Sequence, residues 1–177
     1  MSYAVLLHFD KDNEDTLMKL WDEALNCGGD PYIIESGIRP HITLAYFEDM
    51  NVNSFSDKLE SFSRKMNKFS LKLGSIGTFA NQQGIVFLAP VVTDYLMELH
   101  KEFYEIFDRE IEGINSLYTP DNWIPHCTLS IYNNLNTCTS IIKKMIETYT
   151  PLSVQISSIG ITEHSPKTTY IRNFDID

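Results

Sequence analysis

The chain has 177 residues, 43% of them hydrophobic and 12% aromatic, with 24 acidic against 14 basic side chains and a net charge of −10. That length and composition fit one domain or two intimate lobes with a sizeable core, and exclude collagenous, low-complexity and disordered chains. The charge excludes a protein that coats duplex DNA, because neutralising many phosphates needs a concentrated Lys/Arg surface. A small pocket can still reverse the sign locally for a short phosphorylated ligand.

The apolar run Ala4 to Leu7 predicts a first strand over Tyr3–Phe9. It is too short for a signal-peptide core or a membrane span, and no basic segment precedes it, so the expectation is a cytoplasmic protein with no membrane partner. A helix follows over about Glu14–Asn26, with Leu17, Leu20, Trp21, Ala24 and Leu25 at helical spacing, and Gly28-Gly29 ends it. The His41 segment reads as a strand and Glu48-Asp49 as the polar turn after it. Ser54–Met66 reads as a helix and Phe69–Ile76 as an alternating strand. The order then repeats: a strand over Ile85–Ala89, a helix from Thr93 to about Glu110, a strand at His126 and a helix near Thr139–Tyr149. Strands over Leu152–Ile161 and Thr168–Phe174 close the chain. Cys27, Cys127 and Cys138 form no CxxC pair, which argues for a reducing compartment and against a disulfide framework or zinc knuckle.

The chain matches itself. Asp15-Thr16-Leu17-Met18-Lys19-Leu20 resembles Asp94-Tyr95-Leu96-Met97-Glu98-Leu99. Pro40-His41-Ile42-Thr43-Leu44 matches Pro125-His126-Cys127-Thr128-Leu129, and Phe69 to Gly77 parallels Leu152 to Gly160. Three matches in one order with offsets near 80 indicate a single domain of two related halves, about 1–80 and 81–177. Strands and helices alternate in each half, which predicts two small sheets facing each other across a cleft, with helices outside.

His41 with Thr43, and His126 with Thr128, are the informative residues. Positions i and i+2 of a strand share a face, so each imidazole has a hydroxyl beside it, while Ile42, Leu44, Cys127 and Leu129 face the core. A rough two-fold axis would bring two imidazoles and two hydroxyls around one point. Two histidines suffice for phosphodiester cleavage without a metal or cofactor: a pKa near 6.5 lets one act as base and the other as acid at one pH. Threonine hydroxyls would donate to the non-bridging oxygens. No carboxylate or thiol stands at metal-ligand spacing from either motif, so no metal is expected.

Those two motifs, with Gly77-Thr78-Phe79 before the Ile85 strand and Trp123 ahead of His126, resemble the 2H phosphoesterases, a family that includes the RNA 2′,3′-cyclic phosphodiesterases called 2′-5′ RNA ligases. The resemblance implies an α+β bilobal fold with two mostly antiparallel sheets related by a pseudo-two-fold axis. It further implies catalysis by His41 and His126 and phosphate contacts from Thr43 and Thr128. Family substrates are small nucleotides or short RNA ends bearing cyclic phosphates, 2′-5′ linked oligoadenylates and cyclic oligonucleotides. Reverse RNA ligation would be a side reaction. The alternative is a non-catalytic nucleotide or RNA-end binding module using the same cleft.

Lesser candidates follow from the same alternation. Arg39, two residues before His41, would face the cleft and clamp a phosphate, and Ser130 would share the His126 face. Trp123 or Phe79 could stack on a base; the alternatives are ordinary packing for these two, a surface position for Arg39 and an ordinary strand serine for Ser130. His8, His100 and His164 lack an H-x-T partner and read as structural, and Cys127 faces away from the site.

Overall fold

The computed structural model describes residues 2–80, 84–107, 109–164 and 167–177. Strand β1 (Ser2–Phe9) is buried from Ala4 to Phe9, because it lies between β2 (His41–Phe47) and β8 (Leu152–His164), both antiparallel to it. An apolar run broken only by His8 suits a strand with neighbours on both edges and cover on both faces. The remaining strands of the main sheet are β4 (Phe69–Thr78), β5 (Val86–Pro90), β7 (Cys127–Ser130) and β9 (Thr168–Asp175). Their order is β2-β1-β8-β4-β5-β7, with β9 on the edge of β8. A ribbon of β3 (Asp49–Met50) and β6 (Ile111–Glu112) stands apart, so Asp49, expected in a turn, begins a short strand.

The fold is α+β and antiparallel, as expected, but the two wings are joined into one hydrogen-bonded path rather than separate sheets. Each wing takes its third strand from the other half: β8 completes β1 and β2, and β4 completes β5 and β7. The junction is β4 against β8, where Phe69 pairs with Ile156, Leu71 with Val154 and Leu73 with Leu152. Under the repeat, Leu71 corresponds to Val154, and Phe69 and Leu73 exchange places with the counterparts of each other. That is the register a local two-fold through Leu71 and Val154 produces. The path curls, so that its two ends, β2 and β7, touch.

Helices α1 (Lys11–Asn26), α3 (Val52–Ser63), α4 (Asp94–Phe107) and α5 (Leu135–Thr148) cover the sheet. Three begin earlier than the hydrophobic period indicates, because their first turns are polar and set by caps. Asp10 accepts from the Asn13 amide, Asn51 from Ser54 and Asn134 from Thr137. Leu17, Trp21 and Ala24 form the buried stripe of α1, and Cys138, Ile141 and Met145 that of α5. Phe47, Phe55, Phe62, Phe103 and Phe107 pack as neighbouring rings between β2, α3 and α4, with centroids 4.7 to 6.0 Å apart. Each such ring contributes roughly 1.5–3 kcal/mol by burial. Besides the β3–β6 ribbon, two short elements are not indicated by the sequence pattern, α2 (Tyr32–Glu35) and a 3-10 turn at Ser116–Tyr118. Among the described residues, no helix is long and apolar enough to cross a membrane.

Candidate active site

His41 opens β2 and His126 immediately precedes β7, so contact between the two sheet ends brings the motifs together. His41, Thr43, His126 and Thr128 line one cavity of about 660 Å³, a size suited to a nucleotide-scale ligand. Each imidazole is pinned alike: His41 Nδ1 lies 2.7 Å from the Arg39 carbonyl oxygen, and His126 Nδ1 lies 2.7 Å from that of Ile124. A carbonyl only accepts, so both Nδ1 atoms carry hydrogen and Nε2 is the nitrogen left to titrate.

Equivalent bulges shape both strands. Leu6 pairs with Thr43 and Val5 with Ala45, leaving Leu44 unpaired; Phe87 pairs with Thr128 and Val86 with Ser130, leaving Leu129 unpaired. The extra residue shifts the alternation by one, so Tyr46 and Ile131 rejoin the cavity face while Ala45 and Ser130 are buried. Tryptophans from opposite halves hold the threonine backbones. Trp123 Nε1–H donates to the Thr43 carbonyl and Trp21 Nε1–H to that of Thr128, each at 2.9 Å.

Burial pushes the His41 pKa down to about 4; its bond to the Arg39 carbonyl opposes this, and the His126 and His164 rings nearby lower it further. Burial lowers His126 also, against its bond to the Ile124 carbonyl. Among the described residues lining the cavity there is no Lys, Arg, Asp or Glu. The excess acid of the chain lies elsewhere, and among the described lining residues positive charge enters only as protons on histidine. Tyr32, Tyr46, Tyr118 and Tyr132 supply an aromatic wall, with Tyr32 and Tyr132 edge to face at 5.0 Å. Tyr132 holds φ at +63°, a left-handed conformation uncommon for an aromatic residue. Among the described residues no group of three or more His, Cys, Asp or Glu is placed to hold a metal ion.

Alternation fails for Arg39 and Ser130, whereas Trp123 and Phe79 take the packing alternative and Cys127 faces the core as alternation indicates. Arg39 lies outside the strand and does not line the cavity: its guanidinium takes the buried Glu14 carboxylate at 2.6 to 3.2 Å and lies over the Tyr170 ring. Its backbone serves the site instead, accepting from His41. Ser130 is carried off the His126 face by the bulge and bonds Asn133. Trp123 is buried and stacks on His100 at 3.9 Å, so it is not open to a base. Phe79 packs edge-on against His126 at 5.0 Å rather than lining the cavity. Cys127 faces the core, its thiol pushed up to about 12 by burial. His164, read as structural, lines the cavity. Its signal was Thr162-x-His164, the same residue pair in reverse order.

Residues 28–168 match the family profile described as the 2′-5′ RNA ligase superfamily. The chain belongs to the 2′-5′ RNA ligase superfamily, a 2H phosphoesterase group. This superfamily assignment agrees with solved structures of the same fold. LigT of E. coli, crystallised with 3′-AMP, is 12% identical with a TM-score of 0.62, covering 98% of this chain and 96% of LigT. TT0787 of Thermus thermophilus is 15% identical with a TM-score of 0.59, covering 99% and 98%. Usb1 of Kluyveromyces marxianus is 10% identical with a TM-score of 0.55, covering 96% and 97%. No curated protein matches the chain in sequence. Membership in the superfamily supports an enzyme of the phosphoesterase type.

Proposed function

We propose that the protein is a metal-independent phosphodiesterase that opens 2′,3′-cyclic phosphates of nucleotides or RNA ends, or cleaves short 2′-5′ linked or cyclic oligonucleotides. In this reading the two halves, about 1–80 and 81–177, form one domain and contribute one acid-base residue each. The observation that carries it is the shared cavity of His41 and His126, both with Nδ1 engaged by a carbonyl and, among the described residues, no bond drawn to Nε2.

One Nε2, neutral, takes a proton from water as its oxygen bonds to phosphorus. The other, protonated, gives its proton to the ester oxygen whose bond to phosphorus breaks. Each transfer contributes about 10²- to 10⁴-fold. Thr43 and Thr128 donate to the non-bridging oxygens, where charge develops. The tyrosine wall offers faces on which a base can stack. LigT is crystallised with 3′-AMP, ATP and NADP+, which supports small nucleotides as ligands of this cleft too.

A panel of 2′,3′-cyclic, 2′-5′ linked and cyclic oligonucleotide substrates, with product mapping, tests the proposal. Turnover of at least one class, yielding a single phosphomonoester isomer, is expected. Saturable binding with no turnover across the panel would instead establish a nucleotide-binding module.

A further inference from the structure

A third histidine reaches the cavity from the end of β8. Both ring nitrogens of His164 have partners: Nε2 lies 3.1 Å from Thr162 Oγ1, and Nδ1 lies 3.2 Å from Thr168 Oγ1. Thr162 is fully buried, and its hydroxyl lies 3.4 Å from the Ala4 carbonyl oxygen. That carbonyl takes the Thr162 hydroxyl hydrogen, so Thr162 Oγ1 accepts from Nε2–H. In the neutral ring Nδ1 then accepts from the Thr168 hydroxyl.

Protonation reverses one of these bonds. Nδ1–H donates to Thr168 Oγ1, and the Thr168 hydroxyl hydrogen is released. Thr168 lines the cavity, so a single proton brings both a positive charge and a hydroxyl donor to one wall. An anion is bound by that combination. The groups facing His164 are Tyr46 from β2, its ring centroid 6.1 Å away, Ser2 paired across β1, and Thr168 across β9, with His41 near enough for the two ring charges to interact. Glu163 alternates to the other face of β8, and Lys167 beside Thr168 is exposed. Among the described residues no carboxylate lines the cavity to cancel the charge.

We propose that His164 and Thr168 form a second anion subsite, which receives a phosphate of the substrate other than the one being cleaved. The inference rests on the phosphodiesterase reading and narrows the substrate to a nucleotide or RNA end that carries a second phosphate in ester linkage. Burial holds the His164 pKa below the ordinary histidine value, and a bound phosphate opposes this by stabilising the protonated ring, so the subsite fills more readily as pH falls below 6.5.

The test compares kcat/KM for a nucleoside 2′,3′-cyclic phosphate with and without a 5′-phosphate, at pH 5.5 and 7.5. The wild type favours the 5′-phosphorylated form by about tenfold at pH 5.5 and by less at pH 7.5. His164→Gln keeps an amide donor and acceptor for the two threonines but cannot take a charge, and brings the ratio to within about twofold. The ratio cancels any general loss of activity. A wild-type ratio near one, or a ratio unchanged in His164→Gln, overturns the subsite. Failure of the wild type to turn over either substrate overturns the phosphodiesterase reading instead. The subsite is then read by NMR titration of the His164 ring: a nucleoside 3′,5′-bisphosphate raises its midpoint and a 3′-monophosphate does not, and equal midpoints overturn it.

Discussion

The Trp123 indole of the second half donates to the Thr43 carbonyl of the first at 2.9 Å, and it does so from a ring stacked on His100. His100 in turn bonds the next carbonyl of β2, that of Leu44, at 3.0 Å. Two consecutive carbonyls around a bulge are thereby satisfied by side chains where the sheet ladder cannot reach.

Trp123→Phe therefore leaves a buried carbonyl unpaired and is expected to cost about 1–3 kcal/mol of stability. Urea denaturation measures the loss. Because Thr43 moves with its carbonyl, kcat should fall as well. A variant of unchanged stability and activity would show that the indole bond does not position β2.

Arg39→Gln is expected to act on stability. Its guanidinium neutralises Glu14, whose side chain is only 5% exposed, so the single variant strands a buried carboxylate at a cost of about 1–3 kcal/mol, discounted because Arg39 itself is partly exposed. Adding Glu14→Gln should recover much of that loss. If the double variant is no more stable than Arg39→Gln and KM rises in both, the arginine is a phosphate ligand after all.

Acid should destabilise the fold through His8. The ring is fully buried, among the described residues neither nitrogen meets hydrogen-bond geometry although the Pro40 carbonyl lies near, and its pKa falls from 6.5 to about 3. Burial is the main cause, with His41 and Arg39 nearby adding to it and the Pro40 carbonyl opposing it. Between these pH values the unfolded chain holds more protons than the native one, so stability rises with pH from about 3 to 6.5 and is lost on acidification through that window. The contribution is on the order of a few kcal/mol at pH 4. His8→Leu should flatten the dependence of the urea midpoint on pH between 6.5 and 4, and an equal slope in both proteins would contradict the assignment.

Activity should peak on the acid side of 6.5. Burial lowers both His41, to about 4, and His126, so the form with one neutral and one protonated ring is most populated below the ordinary histidine pKa. A pH profile of kcat/KM measures this. A flat profile with chemistry rate-limiting, or an optimum above pH 8, contradicts two-histidine catalysis.

Much of the site was legible because the sequence states it twice. The repeated Pro-His-x-Thr-Leu segments mark His41, Thr43, His126 and Thr128, and all four line one cavity. Period-2 reasoning failed where the strands are irregular. Leu44 and Leu129 bulge, which moved Ser130 off the cleft face, and Arg39 precedes the first ladder pair, so alternation never governed it. Helix starts were missed where Asp10, Asn51 and Asn134 cap polar turns. His164 was missed because Thr162-x-His164 runs in the reverse order of the repeated motif and its place in the cavity depends on β8 crossing to the other half's strands.

The most direct measurement is hydrolysis of nucleoside 2′,3′-cyclic phosphates in excess EDTA by the wild type, His41→Ala and His126→Ala. The wild type should turn over, and each variant should lose about 10²- to 10⁴-fold in kcat/KM while retaining its fold by circular dichroism. Wild-type rates in both variants would show that these two imidazoles do not exchange the protons of phosphodiester cleavage.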